Sequence, residues 1–199
     1  MDKTDIIRRF KHLSSAAEQM RGDHDLNPDI KLYEDLVPAA VLVPLVNRTY
    51  GVTTLLTQRS SHLAHHPKQI SFPGGHTEPG DGSPEETALR ETEEEVGLDR
   101  RHIEIVGRLA EYHTRTGFAV TPIVALVEPP FDISPDPHEV EEVFEGPLAF
   151  LMDPANHARH SREIQGTIRY FHAIPYDGYF IWGATAGMLM NLYEVLTDA

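Results

Sequence analysis

The feature that most constrains this chain is a short helix whose two ends and two faces are all defined within residues 83–97. Ser83 followed by Pro84 is a favourable helix start, and Gly97 is a favourable helix end. Between them, apolar side chains recur at helical spacing, which predicts a face that packs on a sheet. That face consists of Ala88, Leu89, Thr92 and Val96.

The adjoining face of this predicted helix carries Glu91, Glu94 and Glu95. Successive residues turn by about 100°, so the three carboxylates fall within an arc of roughly 100°. Glu91 and Glu95 form an i, i+4 pair of like charge, which destabilises a helix. A divalent cation relieves that repulsion, and carboxylate oxygens are the ligands that Mg²⁺ and Mn²⁺ prefer. The pattern therefore allows two interpretations, a solvated acidic face or a cation site suited to phosphoryl chemistry.

The glycine turn and the helix together resemble the Nudix box, whose pattern is Gly, five residues, Glu, seven residues, Arg-Glu-apolar-x-Glu-Glu-x-Gly-apolar. The second half is matched from Arg90 to Leu98. In the first half, Gly75 lies one residue farther from Arg90 than the pattern has it, and Asp81 followed by Gly82 stands in place of the early acid. The resemblance implies an α/β fold, the Nudix α/β/α sandwich around a mixed β-sheet.

The resemblance also implies which groups hold a metal ion. It assigns metal ligation to Glu91, Glu94 and Glu95, together with a backbone carbonyl of Gly74 or Gly75. The implied cofactor is Mg²⁺ or Mn²⁺, which would act on a diphosphate.

Catalytic roles are expected for three residues. Arg90 can hold one of the neighbouring carboxylates in place or meet a phosphate through its fork of donors. Two candidates stand for the general base: Glu94, and Glu139, which matches a family position beyond the proline-rich connector. Glu142 has no such support.

The residues before the glycine turn resemble the signature of the coenzyme A pyrophosphatase subfamily, close to its bacterial type. Residues 55–60 (Leu-Leu-Thr-Gln-Arg-Ser) and 72–75 (Phe-Pro-Gly-Gly) match at the expected spacing, but Ala64 replaces an arginine and Lys68 replaces a glycine. Further segments fit the same group, among them residues 180–186 (Phe-Ile-Trp-Gly-Ala-Thr-Ala). The implied reaction is hydrolysis of coenzyme A, or acyl-coenzyme A, to 4′-phosphopantetheine and adenosine 3′,5′-bisphosphate.

Substrate contacts are expected from Arg59, Lys68 and Phe118. Arg59 is the matched basic residue of the signature, and we hypothesise that Lys68 binds the phosphate that Ala64, without a guanidinium, cannot bind. Phe118 is a candidate for stacking on adenine, with core packing as the alternative. Another nucleoside diphosphate derivative, such as ADP-ribose or a nucleotide sugar, remains open as the substrate, as does a non-catalytic module that only senses a nucleotide.

Charge and hydropathy limit the partners. Lysine and arginine number 17 against 31 acidic residues, so the formal charge is 17 − 31 = −14, which disfavours nucleic acid as a partner. No apolar run reaches the roughly 18 residues that a membrane helix needs. The start lacks the apolar stretch of a signal peptide, and the chain has no cysteine. We therefore expect a cytoplasmic protein with a small-molecule substrate, and the sequence leaves an oligomer possible.

The remaining sequence predicts an arm followed by one domain. Residues 1–37 are interpreted as an N-terminal helical arm and linker, with a helix over 4–21 that ends at Gly22, and residues 38–199 as the Nudix domain. A long loop is expected over 60–83. The predicted strands are Ala39–Val46, Val52–Thr57, Ile103–Leu109, Val120–Val127, Glu139–Phe144, Thr167–Ile174 and Tyr179–Ile181, and the later helices are Leu148–Leu151 and Ala184–Leu196.

Overall fold

The computed structural model describes residues 1–11, 20–30, 33–63, 66–164 and 166–197. The helices are Lys3–Lys11 (α1), Pro84–Val96 (α2), Leu148–Leu151 (α3) and Ala184–Thr197 (α4). The strands are Arg21–Gly22 (β1), Val37–Arg48 (β2), Gly51–Arg59 (β3), Ile70–Ser71 (β4), Gly74–His76 (β5), Ile103–Arg108 (β6), Tyr112–His113 (β7), Phe118–Val127 (β8), Val140–Pro147 (β9), Ala158–Ile164 (β10), Thr167–Tyr176 (β11) and Tyr179–Trp182 (β12). Of the described helices, none is long and apolar enough to span a bilayer.

Two long parallel strands, β2 and β8, lie side by side at the centre of a mixed sheet. On its other edge, β8 pairs antiparallel with β6 and β7, and β1 pairs parallel with β7. The other edge of β2 pairs with β5 near its start and with β3 near its end. Strand β3 in turn pairs with β4 and β9. The start of β2 therefore lies beside the Gly74–His76 strand, where the signature loop enters the sheet.

The two faces of β2 pack on different helices, because side chains alternate along a strand. Val43 and Leu45 belong to the main core, together with residues of α1 and α4. Ala40 and Leu42 pack on the other face against α2, through Ala88 and Leu89. Helices on both sides of a mixed sheet confirm the predicted α/β/α sandwich.

A second, three-stranded antiparallel sheet is formed by β10, β11 and β12. Strands β11 and β12 correspond to predicted strands, whereas β10 was not predicted. Most side chains of Ala158–Ile164 are exposed, so the segment lacks the apolar alternation that marks a half-buried strand. Its strand conformation depends on pairing with β11, which cannot be read locally.

Two predicted boundaries were wrong. The first helix is described over Lys3–Lys11, and residues 12–19 lie outside the described residues. At the predicted end of this helix, Arg21–Gly22 is instead a strand paired with β7. The expected loop over 60–83 contains β4 and β5. These strands have two and three residues, too few for a periodic pattern, and are defined by their partners β3 and β2.

The first 37 residues contribute to the same core as the rest of the chain. Ile6 is fully buried, and Phe10 packs so closely on β6 that a Cβ at Gly107 would lie 2.8 Å from its ring. In the stretch interpreted as a linker, the Asn27 amide donates to the Tyr170 carbonyl at 2.9 Å and accepts from the Tyr170 N–H at 2.8 Å. The division into 1–37 and 38–199 stays a prediction, and the packing of α1 crosses it.

Candidate active site

Helix α2 begins and ends where its local signals predict. The Ser83 side chain accepts a hydrogen bond from the Glu86 N–H, and Pro84 occupies the first helical position. Gly97 adopts a left-handed conformation, with φ of 68°, and its N–H donates to the Glu93 carbonyl at 3.0 Å. Because the apolar face packs on the sheet, the adjoining glutamates are turned toward the Gly74–Gly75 backbone.

Two glycines bring the main chain against two of these glutamates. A Cβ at Gly75 would lie 2.5 Å from Cδ of Glu91, so any other residue would displace that carboxylate. The Gly74 N–H donates to Oε2 of Glu95 at 3.0 Å. Gly74 itself has φ of 153°, and a Cβ there would lie 2.4 Å from the Ala40 carbonyl oxygen. The backbone of the turn therefore requires glycine at Gly74, and the position of the Glu91 carboxylate requires glycine at Gly75.

The Arg90 guanidinium is the centre of a hydrogen-bond network. Its Nε and Nη2 donate to the two oxygens of Asp81, each at 3.0 Å, and Nη2 also donates to the His76 carbonyl at 3.0 Å. Its Nη1 donates to Oε1 of Glu91 and to Oε2 of Glu94, again at 3.0 Å. Of the two actions expected for Arg90, the network favours holding neighbouring carboxylates.

Asp81 had no predicted role, yet its carboxylate, in the loop before α2, binds the Arg90 guanidinium through both oxygens. Its carboxylate also accepts hydrogen bonds from the Glu78 N–H and the Thr87 hydroxyl, both at 2.9 Å. The bidentate contact with the Arg90 guanidinium holds the pKa of Asp81 well below its usual range. Its position in place of the early acid of the Nudix box was the only sequence signal for this role.

Burial leaves two carboxylates short of compensating charge. The Glu95 side chain is 6% exposed, and burial raises its pKa to about 7. Repulsion from Glu139 and Glu91 adds to that rise, while the Gly74 N–H and the Arg59 guanidinium, 4.0 Å away, oppose it. Burial likewise raises the pKa of Glu91, against the influence of Arg90. Both groups therefore favour an added positive charge.

This donor set fits a divalent cation. Within the described part of the chain, no three acidic or histidine side chains already form a metal centre. The reason is visible in the contacts, since Arg90 engages Glu91 and Glu94, whereas Glu95 is held by Gly74. The oxygens of Glu91 and Glu95 are nevertheless hard ligands, desolvated and mutually repelling, as an Mg²⁺ or Mn²⁺ site requires. Ligation by Glu91, Glu94, Glu95 and Gly75 stays a prediction.

The two candidate bases and Glu142 have different surroundings. The Glu94 side chain is 61% exposed and bound by Arg90. Glu139 is exposed immediately before β9, and its charge contributes to raising the pKa of both Glu91 and Glu95. Glu142 accepts a hydrogen bond from the Tyr179 hydroxyl at 2.7 Å. Glu139 therefore joins the cluster, and Glu142 is engaged elsewhere.

The predicted substrate-binding residues Arg59 and Lys68 are brought together by the main chain. The Lys68 N–H donates to the Arg59 carbonyl at 3.0 Å, and the Arg59 N–H donates to the Gln69 carbonyl at 3.0 Å. Lys68 has φ of 60°, a left-handed conformation that suits the glycine of the subfamily signature better than a lysine. Its side chain is exposed beside the loop, and Ala64 lies outside the described residues.

Phe118 lies at the start of β8, half-buried at the margin of the main core. Its ring and the His76 ring are in an edge-to-face arrangement, with centroids 5.1 Å apart and planes at 65°. The His76 carbonyl accepts a hydrogen bond from Arg90, so His76 connects Phe118 to the carboxylate network. Core packing and partial exposure thus coexist at this residue.

Comparisons with known proteins identify the family and the fold. Residues 36–167 match the NUDIX domain. The chain is 40% identical over 156 residues to the "Uncharacterized Nudix hydrolase NudL" of Escherichia coli O7:K1 (strain IAI39 / ExPEC), covering 77% of this chain and 80% of the relative. It is 38% identical over 169 residues to NudL of Photorhabdus laumondii, covering 84% and 89%. The solved structure of the Nudix hydrolase RenU from M. smegmatis matches with a TM-score of 0.53 and 17% identity, over 83% of this chain and 89% of that chain, which concerns the fold alone.

We predict that Gly75→Ala weakens Mn²⁺ binding by about 10- to 100-fold, because the new Cβ displaces the Glu91 carboxylate. Isothermal titration with Mn²⁺ measures the affinity, and thermal unfolding checks that the variant folds. Gly80→Ala is the matched control, since a Cβ there meets nothing within 4 Å. Equal Mn²⁺ affinity in Gly75→Ala and Gly80→Ala would contradict the predicted ligation.

Proposed function

The chain belongs to the Nudix hydrolase family, and on that premise we propose that it hydrolyses the diphosphate of coenzyme A and of acyl-coenzyme A. The products would be 4′-phosphopantetheine and adenosine 3′,5′-bisphosphate. One observation carries the proposal: Arg59, from the segment that resembles the coenzyme A signature, lies 4.0 Å from the buried Glu95 carboxylate. This proximity supports assigning the signature cation and the acidic cluster to one site.

The acidic cluster supplies the groups that a diphosphate hydrolase needs. Glu91, Glu94 and Glu95, with the Gly75 carbonyl, would hold Mg²⁺ or Mn²⁺, which when bound supplies neutralising charge to the diphosphate and lowers the pKa of water. Arg90 keeps two of these carboxylates in position through Nη1. Its remaining donors are engaged by Asp81 and the His76 carbonyl, so we assign Arg90 to organising the site rather than to the substrate.

Glu139 is our choice for the general base. A base must be able to take a proton from the attacking water, and the Glu139 carboxylate accepts no hydrogen bond from the described part of the chain. Its charge also acts on the buried pair, since it contributes to raising the pKa of Glu91 and Glu95. Glu94 is the alternative, but one of its carboxylate oxygens already accepts a hydrogen bond from Arg90 at 3.0 Å.

We assign Arg59 and Lys68 to different phosphates of the substrate. Arg59 approaches the carboxylates and would contact the diphosphate as a fork of donors. Lys68, whose N–H donates to the Arg59 carbonyl, has an exposed side chain, and we assign its ammonium to a separate phosphate, the 3′-phosphate of coenzyme A. Phe118, beside His76, is proposed to stack on adenine.

A different nucleoside diphosphate derivative is the second candidate. It is favoured by the two departures from the signature, Ala64 and Lys68, since both alter the loop assigned to the 3′-phosphate. A module that only senses a nucleotide is the third, although such a module gains nothing from the desolvation of Glu95.

Product analysis tests the proposed activity. The protein with Mg²⁺ or Mn²⁺ is incubated with coenzyme A, acyl-coenzyme A, ADP-ribose, a nucleotide sugar and NADH, and products are identified by mass. We expect 4′-phosphopantetheine from coenzyme A, or its acyl form from acyl-coenzyme A, at the highest kcat/KM, and none from Glu95→Gln, which controls for contaminating hydrolases. Faster cleavage of ADP-ribose or the sugar would favour the second candidate, and no turnover of any compound the third.

The general base is tested by pH profiles of Glu139→Gln and Glu94→Gln. Loss of the base removes the acidic limb of the kcat profile and lowers kcat by about 10²- to 10⁴-fold. We expect this for Glu139→Gln, while Glu94→Gln retains the acidic limb even if its metal affinity falls. The opposite pattern would transfer the role to Glu94.

Lys68→Ala is expected to raise KM for coenzyme A by about tenfold, the scale of one hydrogen bond to a charged group. KM for 3′-dephospho-coenzyme A should change much less, because that substrate lacks the 3′-phosphate. An equal effect on both substrates would reject the assignment. Lys68→Gly serves as a companion variant that removes the same charge and accepts the left-handed backbone, so it separates charge from strain.

A further inference from the structure

The C-terminal motif 180–186 has no part in the function so far, although it lies against the signature loop. Gly183 follows β12 with φ of 65°, and its carbonyl accepts from the Gly187 N–H at 2.9 Å, which starts α4. A Cβ at Gly183 would lie 3.8 Å from the Gln69 side chain. The turn between β12 and α4 is therefore adjacent to β4.

One buried side chain joins this turn to the loop. Thr185 is 3% exposed, and its hydroxyl donates to the Ile70 carbonyl at 3.0 Å across 115 positions of sequence. Ile70 belongs to β4, which pairs with β3 at Gln58 and Thr57. From the β3 side, the Thr57 hydroxyl donates to the Ser71 carbonyl at 3.2 Å. Strand β4 is thus held by a threonine on each side.

Strand β4 lies in the sequence between two parts of the proposed site, the loop with Lys68 and the glycine turn. Immediately before it, Lys68 and Gln69 exchange backbone hydrogen bonds with Arg59. Four residues after Ile70, the Gly74 N–H meets the Glu95 carboxylate. A displacement of β4 along its own direction would therefore move the loop cations and the glycine turn together.

We propose that Thr185 is a positioning residue, which fixes β4 so that the Arg59–Lys68 loop and the Gly74 N–H meet the acidic cluster in register. Its effect on catalysis rests on the proposed function, but its effect on the loop does not. Removal of the hydroxyl leaves the Ile70 carbonyl buried without this donor, and loosening the strand relieves that cost. Misplacement of substrate-binding groups by a fraction of an ångström to about 1 Å lowers turnover strongly.

A matched control exists in the same sheet. Thr54 is fully buried, and its hydroxyl donates to the Pro44 carbonyl at 3.0 Å, within the β2–β3 pair. Thr54→Val therefore removes the same kind of hydrogen bond, at the same distance, without touching β4. A purely structural role for Thr185 predicts that Thr185→Val and Thr54→Val behave alike.

The test compares Thr185→Val, Thr185→Ala, Thr185→Ser and Thr54→Val in two measurements. Hydrogen exchange followed by mass spectrometry reports the amides of residues 68–74, and steady-state kinetics with coenzyme A and Mn²⁺ report kcat and KM. We expect faster exchange in this segment and about tenfold lower kcat/KM for Thr185→Val and Thr185→Ala. Thr185→Ser should retain both properties, and Thr54→Val should change stability only. The alanine variant keeps the test valid if the valine variant does not fold.

Two outcomes would overturn the proposal. In the first, Thr185→Val and Thr185→Ala show the same hydrogen exchange in residues 68–74 and the same kcat/KM as Thr54→Val. The other is faster exchange of residues 68–74 with kcat/KM unchanged, because loop position would then not matter to catalysis. Absence of coenzyme A turnover in the wild-type protein would reject the proposed function instead, since the exchange comparison needs no substrate.

Discussion

The burial of the Glu95 carboxylate is the constraint on which the arrangement of this face depends. An ionised carboxylate leaves water at a large free-energy cost unless donors or cations approach it. Its N–H donor comes from Gly74, at 3.0 Å, and its nearest guanidinium from Arg59, at 4.0 Å. Gly74 and Arg59 both precede helix α2 in the sequence. The sheet must therefore hold the glycine turn and the end of β3 close to Glu95.

The acidic side chains of this network differ in how far their charge is compensated, since the pKa of Asp81 is lowered whereas those of Glu91 and Glu95 are raised. The five hydrogen bonds donated by Arg90 satisfy Asp81 and connect it to Glu91, Glu94 and the loop backbone. Glu95, in contrast, retains a pKa raised to about 7 by burial. The Arg90 network gives the site a fixed geometry, and the buried Glu95 carboxylate gives it an affinity for positive charge. A divalent cation between Glu91 and Glu95 would unite the two properties.

Features that depend on interactions between residues close in the sequence could be predicted, whereas features that depend on distant segments could not. The ends of α2 were predicted correctly because Ser83 and Gly97 act on neighbours a few residues away. The α/β/α sandwich followed from the family resemblance, and the long strands followed from apolar runs in the sequence. Strand β10 and the two-residue β4 could not be predicted, since pairing with distant strands creates them. The contact of Asp81 with Arg90 depends on how the loop folds back, and the left-handed backbone of Lys68 contradicts the preference of lysine.

Anomalous diffraction from crystals soaked in Mn²⁺ tests the central claim, that the buried carboxylates on α2 form a divalent-cation site, most directly. We expect a strong anomalous peak coordinated by carboxylate oxygens of Glu91 and Glu95, close to the Gly74–Gly75 backbone, with Arg90 still bound to Asp81. No peak at this position at saturating Mn²⁺, or a peak coordinated only by other residues, would contradict that claim.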